Sequence, residues 1–177
     1  METHILERPL GQDFDLTEII NGEEFMSPSP LSKHQRIAKK LDRAIDRHVE
    51  ANSLGELFFS PLDVILEEGI NRVQPDILFI RKKNTAIIQD WIRGVPDMVC
   101  EIVSTGTYRR DTDIKKELYE KYGVHEYWIV IPELKMLEIL TIEDGKYELY
   151  SYAEGEGMVT SKVIDGLQIN IKDIFED

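Results

Sequence analysis

The sequence predicts an α/β (α+β) sandwich, a mixed central sheet flanked by helices, with a hairpin near each end. Three observations predict it. The segments run hairpin, helix, strands, helix, strands. Residues 31–51 repeat apolar side chains at helical spacing. Met98-Val-Cys-Glu-Ile-Val103 is apolar on both faces apart from one acid, as a central strand is.

Taken in order, residues 1–14 read as a poorly ordered arm and 15–177 as one domain. Glu18-Ile-Ile20, Asn21-Gly22 and Glu23-Glu-Phe-Met26 form a hairpin, because Asn-Gly supplies the positive φ values a two-residue turn needs. Ser27-Pro-Ser-Pro30 ends that strand and starts a helix. Its apolar positions Ile37, Ala38, Leu41, Ala44, Ile45 and Val49 lie on one face. Short β runs come next at 57–59 and 62–66, with Gly69-Ile-Asn71 as a turn and Val73 to Ile80 as one strand. Asp111 to Tyr122 is a second helix, closed by Gly123. Strands at 126–130, 136–141 and 147–152 succeed it, the last two a hairpin around Asp144-Gly145. A strand at 159–163 and a short segment at 171–175 end the chain.

The composition narrows the function. Hydrophobic residues make up 42% and charged residues 31%, values of a globular protein rather than a disordered one. No apolar run is long enough to span a bilayer and the N-terminus lacks a signal-peptide pattern, so no membrane association and a cytoplasmic location are expected. Cys100 is the only cysteine, which excludes an intrachain disulfide and a multi-cysteine zinc site. Lys and Arg total 21 against 34 Asp and Glu, a net charge of −13. A nucleic-acid partner then requires a local basic patch, a divalent metal or a brief contact.

Two carboxylates stand out. Asp76 in Val-Gln-Pro-Asp-Ile-Leu-Phe-Ile and Glu101 in Met-Val-Cys-Glu-Ile-Val are lone acids in otherwise apolar strands. A buried carboxylate needs a partner, either an Arg, a backbone N–H or a hard cation such as Mg²⁺. Pro75 marks a strand start, edge or bulge beside Asp76. Asp97 reads better as a turn or cap. In the second helix Ile114, Leu118 and Tyr122 define a buried face; Lys115 projects within it and Lys116 outside it. Lys115 either snorkels or points over the sheet toward the two acids. Glu23 or Glu24 is a further candidate acid. His34 and Gln35 open the first helix, where surface positions are expected. Arg109 and Arg110 precede Asp111 and are candidate phosphate contacts. Cys100 reads as core, and His4, His48 and His125 form no metal-ligand spacing.

These residues, in order, resemble the Uma family, a bacterial branch of the PD-(D/E)xK nuclease superfamily with the restriction-endonuclease-like fold. The resemblance runs through Asn21-Gly-Glu23, Met26-Ser-Pro-Ser-Pro30, His34-Gln-Arg-Ile37, Pro61-Leu-Asp-Val64, Gln74-Pro-Asp-Ile77 and Pro96-Asp97. It continues through Glu101-Ile-Val-Ser104, Arg109-Arg-Asp111, Lys115, Leu118-Tyr119 and Gly123-Val-His-Glu-Tyr-Trp128. It implies a Mg²⁺- or Mn²⁺-dependent endonuclease acting on nucleic acid, DNA first, and working as a homodimer. It also implies Asp76 and Glu101 as metal ligands, Lys115 as the catalytic lysine and Glu23 as an acid near the site. Gln74, Gln35, Arg109 and Arg110 are the candidate substrate contacts. The superfamily's commonest lysine position, two residues after the second acid, is Val103 here, so the lysine comes from the helix. Ser104-Thr-Gly106, His125 and Ile131 depart from the family's usual loops. The alternative is a non-catalytic nucleic-acid- or protein-binding module on the same fold.

Overall fold

The computed structural model describes residues 16–26 and 29–176. The expected arm at 1–14 and the Ser27-Pro28 step therefore lie outside the described residues. In chain order the elements are β1 (Thr17–Ile20), β2 (Glu23–Met26), α1 (Ser32–Asn52), β3 (Gly55–Phe59), β4 (Val64–Glu67), β5 (Asn71–Val73), β6 (Ile77–Arg81), β7 (Ile92–Arg93) and β8 (Met98–Ile102). They continue with α2 (Lys115–Tyr122), β9 (Glu126–Ile131), β10 (Met136–Glu143), β11 (Lys146–Glu154), β12 (Met158–Thr160), β13 (Gln168–Asn170) and α3 (Ile171–Phe175).

A six-stranded sheet in the order β11-β10-β9-β8-β6-β3 forms the centre. Its neighbours are antiparallel except β8 and β9, which run parallel. A parallel pair needs a crossover, and the segment carrying α2 supplies it. On one face Ile37, Leu41, Ile45 and Val49 of α1 pack with Ile77, Phe79, Cys100, Ile102, Trp128 and Val130. On the other, Leu118 and Tyr119 of α2 pack with Leu78, Ile80, Val99, Tyr127 and Ile129. A second sheet, β2-β1-β5-β4-β7, contributes Ile20, Val64, Val73 and Ile92 to that same cluster. Strict alternation along β6 and β8 thus sends odd and even residues into different cores. No helix among the described residues is long and apolar enough to cross a membrane.

The expected strand from Val73 to Ile80 is two strands. Gln74-Pro75-Asp76 interrupts it, β5 belonging to the smaller sheet and β6 to the central one. Pro75 has no N–H for a ladder, so the chain changes sheets there. Asn71, read as turn, is the first residue of β5 and is fully buried. The expected strand at 159–163 stops at Thr160, because the Glu126 carboxylate captures the backbone just beyond it. Its Oε2 accepts the backbone N–H groups of Lys162 (2.7 Å) and Val163 (3.1 Å). The second helix opens with a π-helical turn at Arg110–Ile114.

Candidate active site

The site forms where the two sheets meet the start of α2. Asp76 stands one step beyond the β6–β8 register, in which Ile77 faces Cys100, and so lies opposite Glu101. Cross-strand neighbours of this kind have Cβ atoms about 5 Å apart. Asp76 Oδ2 accepts the backbone N–H of Ile102 (2.7 Å) and lies 3.1 Å from His34 Nε2, three residues into α1. Glu101 is buried in β8. Its Oε1 accepts from Lys115 Nζ (2.9 Å) and from the Tyr119 hydroxyl (2.7 Å), one turn apart on α2.

Lys115 is buried, 2% exposed, so it does not snorkel. Its ammonium also lies 2.8 Å from Glu18 Oε1 and 3.9 Å from Asp111 Oδ1. Glu18 Oε1 accepts the backbone N–H of Gln74 (2.8 Å), tying β1 to the segment that carries Asp76. Arg110 approaches Glu18 Oε2 at 3.7 Å and Asp111 Oδ1 at 3.5 Å. Both of those oxygens are buried without a hydrogen bond among the described residues.

These contacts set the protonation states. Burial pushes the Glu101 carboxyl well above the usual range; Lys115 pulls it down, while Asp111, Asp76 and Glu18 push it up further. Burial works against the charge on Lys115, but Glu101, Glu18 and Asp111 outweigh it and hold the amine above its ordinary value. Lys115 is therefore an ammonium at neutral pH, a charge donor rather than a base. Burial likewise lowers His34, yet its contact with Asp76 leaves the imidazole above its ordinary value. Burial raises Asp111, against the pull of Lys115.

Asp76, Glu101 and Lys115, read from the sequence, converge. Glu23 does not join them: it is exposed at the start of edge strand β2, and Glu18 holds the buried position instead. In β1, Glu18 and Ile20 alternate inward together, and the hairpin pairs Ile20 with Glu23 and Glu18 with Phe25. The substrate candidates divide. Gln74 spends its amide on Asp63 Oδ1 (2.7 Å) and Arg110 is engaged with Glu18 and Asp111, whereas Gln35 and Arg109 are exposed. Asp97 Oδ2 takes the Arg81 N–H and the Asn84 amide, the turn role expected of it, and Cys100 lies in the core. Sequence reasoning missed Glu18, His34 and Asp111. His34 was detectable, since it is in phase with Ile37, Leu41 and Ile45 on the buried face of α1.

The donor chemistry fits a hard divalent cation. Asp76 and Glu101 each keep a second oxygen that accepts no hydrogen bond among the described residues. Four acids, Asp76, Glu101, Glu18 and Asp111, crowd together here, and a dication beside them would relieve the mutual repulsion that pushes the Glu101 carboxyl up. Among the described residues no three His, Cys, Asp or Glu side chains converge on a ready-made cage. Mg²⁺ does not require one, since it commonly takes one or two carboxylates with water and phosphate. Two surface concavities, beside Tyr152–Met158 and beside Arg81–Lys83, lie away from these acids.

The mixed central sheet flanked by helices has a nuclease-like α/β fold, and the paired acids and the crossover-helix lysine lie together at one end of it. The chain belongs to the Uma2 family, described as "Putative restriction endonuclease", whose model matches residues 3–172. Among solved structures it is similar to a protein from Anabaena variabilis described as a "putative nuclease". The TM-score is 0.74 and the identity 21%, over 90% of this chain and 89% of that one. A type IIG restriction endonuclease, BpuSI, overlaps 71% of this chain and 14% of its own at a TM-score of 0.38 and 13% identity. No curated protein matches the chain.

Proposed function

We propose that this protein is a metal-dependent endonuclease that hydrolyses phosphodiester bonds in DNA, acting as a homodimer with one site for each strand. The observation that carries the reading is the buried Lys115 ammonium held between Glu101 (2.9 Å) and Glu18 (2.8 Å) beside Asp76. The family description and the nuclease-like fold support it. In this reading Asp76 and Glu101 hold Mg²⁺ or Mn²⁺. Bound there, the ion would polarise the phosphate and lower the pKa of a coordinated water. Lys115 offers its ammonium to the oxygen on which charge develops, preorganised by the acids that keep it protonated. Tyr119 fixes Glu101 by a hydroxyl bond, and Ile102 N–H with His34 fixes Asp76, so each ligand presents its free oxygen. Glu18 positions Lys115 and, through Gln74 N–H, the Asp76 segment.

The test is plasmid DNA and structured RNA incubated with wild type, Asp76→Asn and Glu101→Gln, each in Mg²⁺, Mn²⁺ or chelator. DNA cleavage in metal by wild type alone is expected. Cleavage that survives chelation or either substitution overturns the mechanism. An intact protein that binds metal and cleaves neither substrate leaves the binding-module reading.

A further inference from the structure

α1 begins at the site, where His34 meets Asp76, and leads away from it across the face of the central sheet. Of the chain's 21 Lys and Arg, six lie in this helix, against only three of its 34 Asp and Glu. The distribution within α1 is also ordered. Lys33 is engaged with Glu133 and the Pro132 carbonyl, and Lys40 with the Glu176 carbonyl. The other four, Arg36, Lys39, Arg43 and Arg47, are exposed and have no salt bridge or hydrogen bond among the described residues. Their spacing of three, four and four residues places them on a single ridge. At 100° per residue that ridge is diametrically opposite the buried Ile37, Leu41, Ile45 and Val49. Of the three acids, Asp42 and Asp46 sit to one side of it and exposed Glu50 closes its C-terminal end, one turn past Arg47; the charge of Arg43 acts on Asp42 without closing a pair.

We propose that this ridge is a track that holds the phosphate backbone of duplex DNA flanking the site, an inference that rests on the nuclease reading above. Four unpaired cations in one line, on a protein of charge −13, match a linear polyanion better than a compact ligand. From Arg36 to Arg47 the helix rises about 16 Å. Four cations over that length can neutralise up to four phosphates of the duplex. Arg36 lies two residues from His34 but about 200° around the helix, so the ridge faces away from Asp76 and holds DNA that flanks the site rather than the strand in it. The ridge also resolves the conflict between an acidic chain and a polyanionic substrate: the excess acid lies elsewhere.

The experiment is fluorescence anisotropy with a labelled DNA duplex in chelator at low salt, where binding is read without cleavage, repeated over a salt series. Three variants are compared with wild type. One is the quadruple Arg36→Gln, Lys39→Gln, Arg43→Gln, Arg47→Gln. The second is the double Arg43→Gln, Arg47→Gln, which guards against a fold defect and is checked by thermal melting. The control, Lys121→Gln, Lys135→Gln, Lys146→Gln, Lys172→Gln, makes the same change in net charge elsewhere. The quadruple is expected to weaken binding at least about tenfold and to lower the slope of log K against log salt by roughly 3–4, the double by about half that. The control should leave the slope within error. Equal effects of quadruple and control would overturn the track, because net charge alone would then explain them. So would a quadruple that keeps DNA binding but loses self-association or binding to an acidic protein. Failure of cleavage in metal with the ridge effect intact removes only the nuclease reading, and cleavage with no ridge effect removes only the track.

Discussion

Lys115 and Lys116 are adjacent lysines on α2 with different fates. Lys115 is the cation that touches both Glu101 and Glu18, and Lys116 is half-buried outside the carboxylate cluster. Removing one member of a buried ion pair leaves the other charge uncompensated and costs about 3–5 kcal/mol. Lys115→Met should therefore lose about that much stability in chemical denaturation and abolish cleavage. Lys116→Met should stay within about 0.5 kcal/mol and keep its activity. The reverse ranking would remove Lys115 from the site. That this lysine was legible in the sequence is owed to helical phase, and Asp76 and Glu101 to being lone acids in apolar runs. Glu18 was not legible for a physical reason. Glu18-Ile19-Ile20 offers two isoleucines, one on each face, so the short strand fits either register. A one-residue slip exchanges the inward set. The structure turns Ile20 inward, and Glu18 with it.

At the scale of elements, α1 and β3 make separate claims. Asp42 and Asp46 are a like-charge pair four residues apart on α1, and burial followed by Asp46 raises the Asp42 carboxyl above its ordinary value. A raised folded pKa means that ionised Asp42 destabilises the fold, so the cost is present above the folded pKa and disappears below the unfolded one. Asp42→Asn should stabilise by about 0.2–0.5 kcal/mol at pH 7. Denaturation over a pH series should show the gain shrinking as the pH falls through the carboxylate range, and a constant gain would refute the cause. In β3, a Cβ on Gly55 would lie 2.0 Å from the Ile80 carbonyl oxygen of the neighbouring strand. Backbone cannot yield as a side-chain end can, so Gly55→Ala should lower stability by about 1–3 kcal/mol, read from the denaturation midpoint. Element type was legible from period. The division into two sheets was not, since pairing β1 with β5 or β6 with β8 is a long-range choice that no local window encodes. Pro75 marked the break but not the change of sheet.

At the scale of the whole molecule, a net charge of −13 has two separable consequences for stability in metal. Any cation screens the self-repulsion of the chain, an effect of ionic strength that depends little on which carboxylates are present. A cation held by Asp76 and Glu101 stabilises by mass action, about 2.7 kcal/mol at a hundredfold excess over Kd. For a chain of this size each kcal/mol moves Tm by about 2–4 °C, so saturation should add roughly 5–11 °C. The two terms are separated by melting wild type and the Asp76→Asn, Glu101→Gln double variant in Mg²⁺ or Mn²⁺, and again in NaCl at matched ionic strength. NaCl should raise both proteins alike and only slightly. The divalent ions should raise wild type well beyond the NaCl value, saturably, and the double variant no further than NaCl does. A divalent shift of equal size in both proteins would assign the whole effect to screening and leave Asp76 and Glu101 without a metal to hold.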